Sequence, residues 1–180
     1  MKRYINEFIK LRCASDLLGL SLFPNAKEIT ESMAAYRAVF VHILRDKGKE
    51  LGDPSIAVVS VGDGCVPRTA ALFAFRSNWQ CFSVDPLMKK TDWNIKRLTV
   101  FQGKIEDFHL DCSIFSAVII LLVHSHATVR ASLDRITGTV RHLIAIPCCT
   151  PHELPGKPYI GYEDYDIWSP KRTVKIWRAA

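Results

Sequence analysis

Hydrophobic and polar positions divide the chain into two textures. Over the first 50 residues Tyr4, Phe8, Leu11, Leu17 and Leu18 recur near helical spacing, and the run breaks at Phe23-Pro24-Asn25. Asn25 is placed to cap a second helical run. From Ala26 to Glu50 the residues Ile29, Met33, Tyr36, Val39, Phe40 and Ile43 keep to one stripe, with Lys47, Lys49 and Gly52 at its far end. The spacing predicts a long amphipathic helix over 26–50 and a helical N-terminal extension over 1–50 packed on the rest of the chain.

Beyond this point short apolar runs alternate with helix-length connections: Ile56 to Val61, Cys81 to Val84, Leu98 to Phe101, Phe115 to Val123 and Leu143 to Ile146. Strands so separated favour a parallel sheet with helices on both faces, and right-handed crossovers leave few topologies. After Pro155 the run Tyr159, Ile160, Tyr162, then Tyr165, Ile167, Trp168, is followed past Ser169-Pro170-Lys171-Arg172 by Val174, Ile176 and Trp177. This predicts a closing antiparallel hairpin. The expected fold is α/β, a Rossmann-like three-layer sandwich around a mostly parallel sheet.

Composition narrows the picture. A chain of 180 residues, 48% hydrophobic and 23% charged, suits a single globular domain over 1–180. It has no run of the roughly 20 apolar residues that a membrane span needs, nor the apolar core and cleavage site of a secretory signal after its basic start. A soluble, cytoplasmic protein with no membrane partner is expected. The six cysteines are scattered, apart from adjacent Cys148 and Cys149, so reduced thiols are expected rather than bridges. The net charge of +6 biases the surface mildly toward phosphate-rich partners.

The most informative stretch runs from Ile56 to Ala70. A buried strand leads into Gly62-Asp63-Gly64 and then into a helix opened by Pro67, whose fixed φ and missing N–H suit a first helical position. Such a turn lets the main chain approach a ligand and aims helix N–H groups at it. Asp85 stands 23 positions after Gly62, at the end of the next strand, where a carboxylate can accept from both hydroxyls of a ribose. A dinucleotide site is the competitor. Its third glycine would fall at Pro67, however, and too little chain follows Asp85 for a second nucleotide half and a substrate domain.

With these motifs the sequence resembles the class I S-adenosylmethionine-dependent methyltransferases. Gly62-Asp63-Gly64 looks like their glycine motif, Asp85 like their ribose acid, and Gly103-Lys104-Ile105-Glu106-Asp107-Phe108 like their adenine-flanking segment. The resemblance covers most of the chain from Ser55 onward. It implies S-adenosylmethionine or its demethylated product as ligand, Ile105 and Glu106 beside the adenine, and a hairpin completing a seven-stranded sheet. Ser60 stands where that family often has an acid, and Val66 or Pro67 where a third glycine is usual.

Val123-His124-Ser125-His126 ends the fourth strand, and Ile146-Pro147-Cys148-Cys149-Thr150-Pro151-His152 ends the fifth. Parallel strand tips point the same way, so these groups converge on the ligand edge of the sheet. The pattern is similar to a subgroup of small methyltransferases, tRNA-modifying enzymes among them, with a Pro-Cys-Cys segment after the fifth strand. Three roles stay open: satisfied structural residues, a proton acceptor in His124 or His126, or a His/Cys metal site whose spacing matches no standard zinc motif. Cys148, Cys149 and His152 are substrate-side candidates. Arg68, one residue into the helix behind the glycine turn, is placed to reach a cofactor carboxylate or a substrate phosphate.

Basic residues accompany aromatics near the C-terminus, with Lys171, Arg172 and Lys175 among Tyr165, Trp168 and Trp177. That combination can hold phosphates and stack bases, or the aromatics can pack the sheet and leave the charges as a solvated face; RNA is the expected substrate. The alternative is a non-catalytic relative that binds nucleic acid or a protein partner.

Overall fold

A computed structural model of the chain describes residues 3–138, 140–148 and 156–179. Seven strands form one sheet: β1 (Ile56–Val61), β2 (Gln80–Asp85), β3 (Leu98–Gln102), β4 (Ala117–Val123), β5 (Arg141–Ile146), β6 (Ile160–Glu163) and β7 (Thr173–Ala179). Their spatial order is β3-β2-β1-β4-β5-β7-β6. The first five are mutually parallel, and β7 inserts antiparallel between β5 and β6. A two-residue parallel bridge, Leu110–Asp111 with Ile136–Thr137, lies apart from it. This is the expected Rossmann-like sheet with its closing hairpin.

The strands are near-continuous apolar runs because both faces are covered. Ile56, Val58, Ile119, Leu121, Ile144, Ile146, Val174 and Ile176 point to one core. The alternate residues Ala57, Val59, Val61, Val118, Ile120, Leu122, Leu143, Ala145 and Trp177 point to the other.

The first core is roofed by α1 (Arg3–Ile9), α2 (Ala14–Gly19), α3 (Ala26–Ala38) and α5 (Arg68–Arg76), which contribute Tyr4, Phe8, Leu17, Met33, Leu72 and Phe73. The second is covered more thinly, by a single 3-10 turn at Ile105–Asp107 and by α6 (Val129–Arg135).

Two expectations are corrected. The segment 26–50 is not one helix. Asn25 caps α3 as expected, its Oδ1 accepting from the Glu28 N–H at 3.1 Å. After Ala38, however, the chain makes a π-helical turn at Val39–Ile43 and becomes extended at Leu44, and it restarts as α4 (Lys47–Leu51). Asp46 caps the new start by accepting from the Lys49 N–H, and the Glu50 carboxylate accepts from the Arg45 N–H. These local bonds compete with helix continuation. Nor does α3 show one apolar stripe, since Thr30, Glu31, Ser32 and Ala34 are as buried as Met33 and Tyr36.

The connection from β2 to β3 carries no helix either. Pro86 and an Asp92–Asn94 Asx turn break it. The Arg97 guanidinium donates instead to the Ala74 and Ser77 carbonyls at the end of α5, satisfying carbonyls that a helix terminus leaves open.

Candidate functional site

The site begins where β1 stops. Val61 leads into Gly62 and Gly64, both with left-handed backbone, φ +74° and +89°, a region open to glycine at little cost. A Cβ on Gly62 would lie 2.2 Å from Ser125 Oγ. The absence of a side chain at 62 is thus required by the tip of β4 itself, with or without a ligand. A Cβ on Gly64 would meet the Arg68 guanidinium at 2.5 Å.

Asp63 turns away from the groove. Its carboxylate is buried and accepts from the Thr69 and Ala70 N–H groups at 3.0 and 3.1 Å and from Ser83 Oγ at 3.0 Å. Thr69 and Ala70 lie in the first turn of α5, so Asp63 caps that helix from a distance. Pro67 sits just before the first helical residue and not within the helix. The side chain of Asp63 therefore serves the turn, and any contact with a ligand comes from its main chain.

Asp85, at the end of β2, forms the opposite rim. One oxygen accepts from the Gly64 N–H at 2.8 Å and the other from the Leu87 N–H at 2.7 Å. A carboxylate has about four acceptor positions, so roughly two remain for a ligand. The main chain around it ties three segments together: Gly62 N–H donates to the Val84 carbonyl at 2.8 Å, and Gly103 N–H to the Asp85 carbonyl at 3.2 Å.

Between these rims lies a cleft of about 520 Å³ lined by Gly62, Gly64, Asp85, Leu87, Gly103 to Glu106, His124 and His126, a size that suits a nucleoside-bearing ligand. Ile105 is buried and forms part of its wall, while Glu106 is exposed at the edge.

A second, smaller recess of about 170 Å³ adjoins it. It shares Gly62, Gly64 and His124 and is closed by Lys27, Glu28, Glu31 and Arg68. Arg68 Nη1 pairs with Glu28 at 2.5 Å, and Lys27 with Glu31 at 2.9 Å. Glu31 is only 5% exposed. Its Oε1 has ion-pair partners but no hydrogen bond among the described residues. His124, with φ +52°, places Nε2 at 3.4 Å from that oxygen, outside hydrogen-bond geometry. Burial lowers the His124 pKa, and the Glu31 charge works against that shift.

Cys148 joins the group through its thiol, which donates to the His124 carbonyl at 3.6 Å. The tips of β4 and β5 thus meet as expected. Cys149 and His152 lie outside the described residues. No cluster of three metal-ligating side chains occurs among the described residues.

The carboxylates of α3 were not foreseen. Glu28 and Glu31 are three residues apart, so they share a helix face. Their spacing alone gives no sign that this face is buried over the glycine turn. The nearest signal is that Glu31 sits among the apolar residues of α3.

The fold and site define a Rossmann-like domain with a nucleoside-sized cleft at the carboxyl edge of its sheet. No family model and no curated protein matches the sequence. Among solved structures, the chain is similar to a variant of the 16S rRNA (adenine(1408)-N(1))-methyltransferase from Catenulisporales acidiphilia with cosubstrate SAM, at 19% identity, TM-score 0.36, over 54% of this chain and 58% of that one. It is similar also to the plantazolicin methyltransferase in complex with SAH, at 9% identity, TM-score 0.37, over 78% and 56%. The chain thus spans little more than half the length of each. Likenesses this partial bear on neither substrate nor residue roles.

Proposed function

We propose that the chain is an S-adenosylmethionine-dependent methyltransferase acting on RNA. The observation that carries the cofactor assignment is the Asp85 carboxylate, fixed by the Gly64 and Leu87 N–H groups with acceptor capacity left over at the rim of the cleft. Those remaining lone pairs suit two ribose hydroxyls. Ile105 would pack on the adenine face and Glu106 would border its edge.

The small recess supplies what an amino acid end requires. Buried Glu31 suits an ammonium group if its pair with Lys27 opens, and Arg68 suits a carboxylate if its pair with Glu28 opens. Glu31 would then stand in for the acid absent at Ser60. When bound, the cofactor supplies a methyl group on a sulfonium. Transfer of that kind needs alignment above all. The protein's part is to hold the nucleoside, shield the junction of the two recesses and keep His124 ready as a proton acceptor. Burial favours the neutral imidazole that this role needs.

Support for RNA comes from the loop between β6 and β7. It is fastened to the helical roof beside the recess: the Tyr4 hydroxyl donates to Asp164, and the Trp168 N–H donates to Thr30 Oγ1, next to Glu31, at 3.0 Å. Tyr165 (68% exposed) and Trp168 (43% exposed) sit on this loop, and the Arg172 guanidinium lies 4.2 Å over the Tyr165 ring. Aromatic faces among basic groups bind unpaired bases without demanding a sequence.

One observation favours the second reading, a non-catalytic binding protein: the polar recess already holds internal ion pairs at Arg68–Glu28 and Lys27–Glu31. Calorimetric titration with S-adenosylmethionine and with S-adenosylhomocysteine decides between them. Saturable binding of both supports the enzyme. No heat at millimolar ligand overturns it, and binding of NAD alone would indicate a nicotinamide site.

A further inference from the structure

The opposite edge of the sheet holds a second cavity. It measures about 450 Å³ and opens at the amino-terminal ends of β1, β4 and β5, against the segment joining the π-helical turn to α4. His142 lies in its wall, 7% exposed, and its buried Nδ1 has no hydrogen-bond partner among the described residues. A buried imidazole nitrogen left without a partner is costly. The ring of the same residue lines the cavity, so a ligand bound there lies against this under-satisfied imidazole.

The charges around His142 indicate what that group is. Arg178, its direct cross-strand partner on β7, and Arg45 both line the cavity. Neither guanidinium forms an ion pair among the described residues. Two carboxylates are also present. Glu50 accepts from the Arg45 N–H at 2.8 Å, and Asp53 accepts from the Ser55 N–H and hydroxyl at 2.9 and 2.7 Å. Each thus has one oxygen held by neighbouring donors and turned to the local backbone, while the two guanidiniums have no such partner among the described residues. Arg141, next to His142, turns away to donate to the Leu133 and Ile136 carbonyls.

We infer that this cavity is a second ligand site, for the phosphoryl group of a small phosphorylated molecule, held by Arg45, Arg178 and the His142 imidazole. A guanidinium matches the paired oxygens of a tetrahedral oxyanion, and a protonated imidazole adds a third charged donor. The site lies at the far edge of the sheet from the nucleoside cleft and does not depend on what that cleft binds. In the ligand-free protein, burial first and then the Arg178 and Arg45 charges hold the His142 pKa below its ordinary value. An arriving anion reverses the electrostatic part, so binding takes up a proton and tightens as pH falls toward the His142 pKa.

The test is a titration of the full chain with inorganic phosphate and with pyrophosphate, followed by the imidazole NMR resonances and by calorimetry. The His142 resonance is assigned from its loss in H142Q. The expected result is saturable movement of that resonance, with its apparent pKa raised. Because Arg45 and Arg178 are exposed, R45Q and R178Q should fold as the parent does and weaken binding about tenfold each, the effect of losing a charged hydrogen bond. A His142 resonance that does not respond to either anion at millimolar concentration overturns the site. So does binding that R45Q and R178Q leave unchanged.

Discussion

Asp85 and Gly64, 21 positions apart in sequence, are joined by a 2.8 Å hydrogen bond from the glycine N–H to the carboxylate. The acid proposed to hold a ribose is therefore also the brace of the turn that forms the other wall. Asp85→Ala should weaken S-adenosylmethionine binding by about 1–3 kcal/mol, the usual cost of losing hydrogen bonds to a charged group. Calorimetry on the variant checks this. Unchanged affinity in a folded protein would remove the ribose assignment.

Glu31 gives a prediction specific to one half of the ligand. Glu31→Gln should lower affinity for S-adenosylmethionine about tenfold, as loss of a charged hydrogen bond does, and leave affinity for 5′-methylthioadenosine unchanged, because that compound lacks the amino acid end. Parallel titrations of the two ligands measure the difference. An equal loss for both would place Glu31 in the scaffold.

Gly62→Ala should destabilise the fold without reference to any ligand. A left-handed backbone costs a side chain roughly 1–2 kcal/mol. The new Cβ would also sit 2.7 Å from Ser125 Cβ and 2.2 Å from its Oγ, and such overpacking costs roughly 1–3 kcal/mol more. Urea denaturation reads the sum. The double change with Ser125→Gly should recover the packing part and keep the backbone part.

Three partly or largely buried histidines, His42, His124 and His142, have pKa values pushed below the ordinary 6.5, in each case chiefly by burial. Between the lowered folded values and 6.5 the unfolded chain binds more protons than the folded one, so stability must fall as pH drops through that window. Above 6.5 these groups contribute no slope. Denaturation midpoints at pH 7.5, 6.5 and 5.5 check the sign, and His142→Gln should flatten part of the decline. A midpoint that rises on acidification would contradict it.

For the RNA assignment, Trp168→Ala and Tyr165→Ala should each weaken single-stranded RNA binding by roughly 1–3 kcal/mol, the value of one stacked base, with no change in cofactor affinity. Fluorescence anisotropy with a labelled oligonucleotide measures the loss.

Much of this architecture can be read in the residues. The strand β1 is visible as Ile56 to Val61 because burial on both faces makes parallel strands continuously apolar, and Gly62, Gly64 and Asp85 follow from the strand–turn–helix pattern. His124 and Cys148 do meet, because parallel strands end on the same edge. Local signals failed where non-local packing decides. The stripe from Ile29 to Ile43 continues through the π-helical turn, and only the Asp46 and Glu50 side-chain bonds show where the helix stops. The orientation of Asp63 depends on Ser83, a residue of another strand. Glu31 looks like a surface charge until α3 is laid across the glycine turn.

The thick helical roof over one face has a practical corollary. Tyr4, Phe8, Leu17, Leu22 and Met33 are almost completely enclosed, and the same layer supplies Glu28 and Glu31. Cutting the chain just ahead of β1 would strip an oily face bare and open one wall of the polar recess in a single stroke. The fragment left behind should clump, and no added ligand would rescue it.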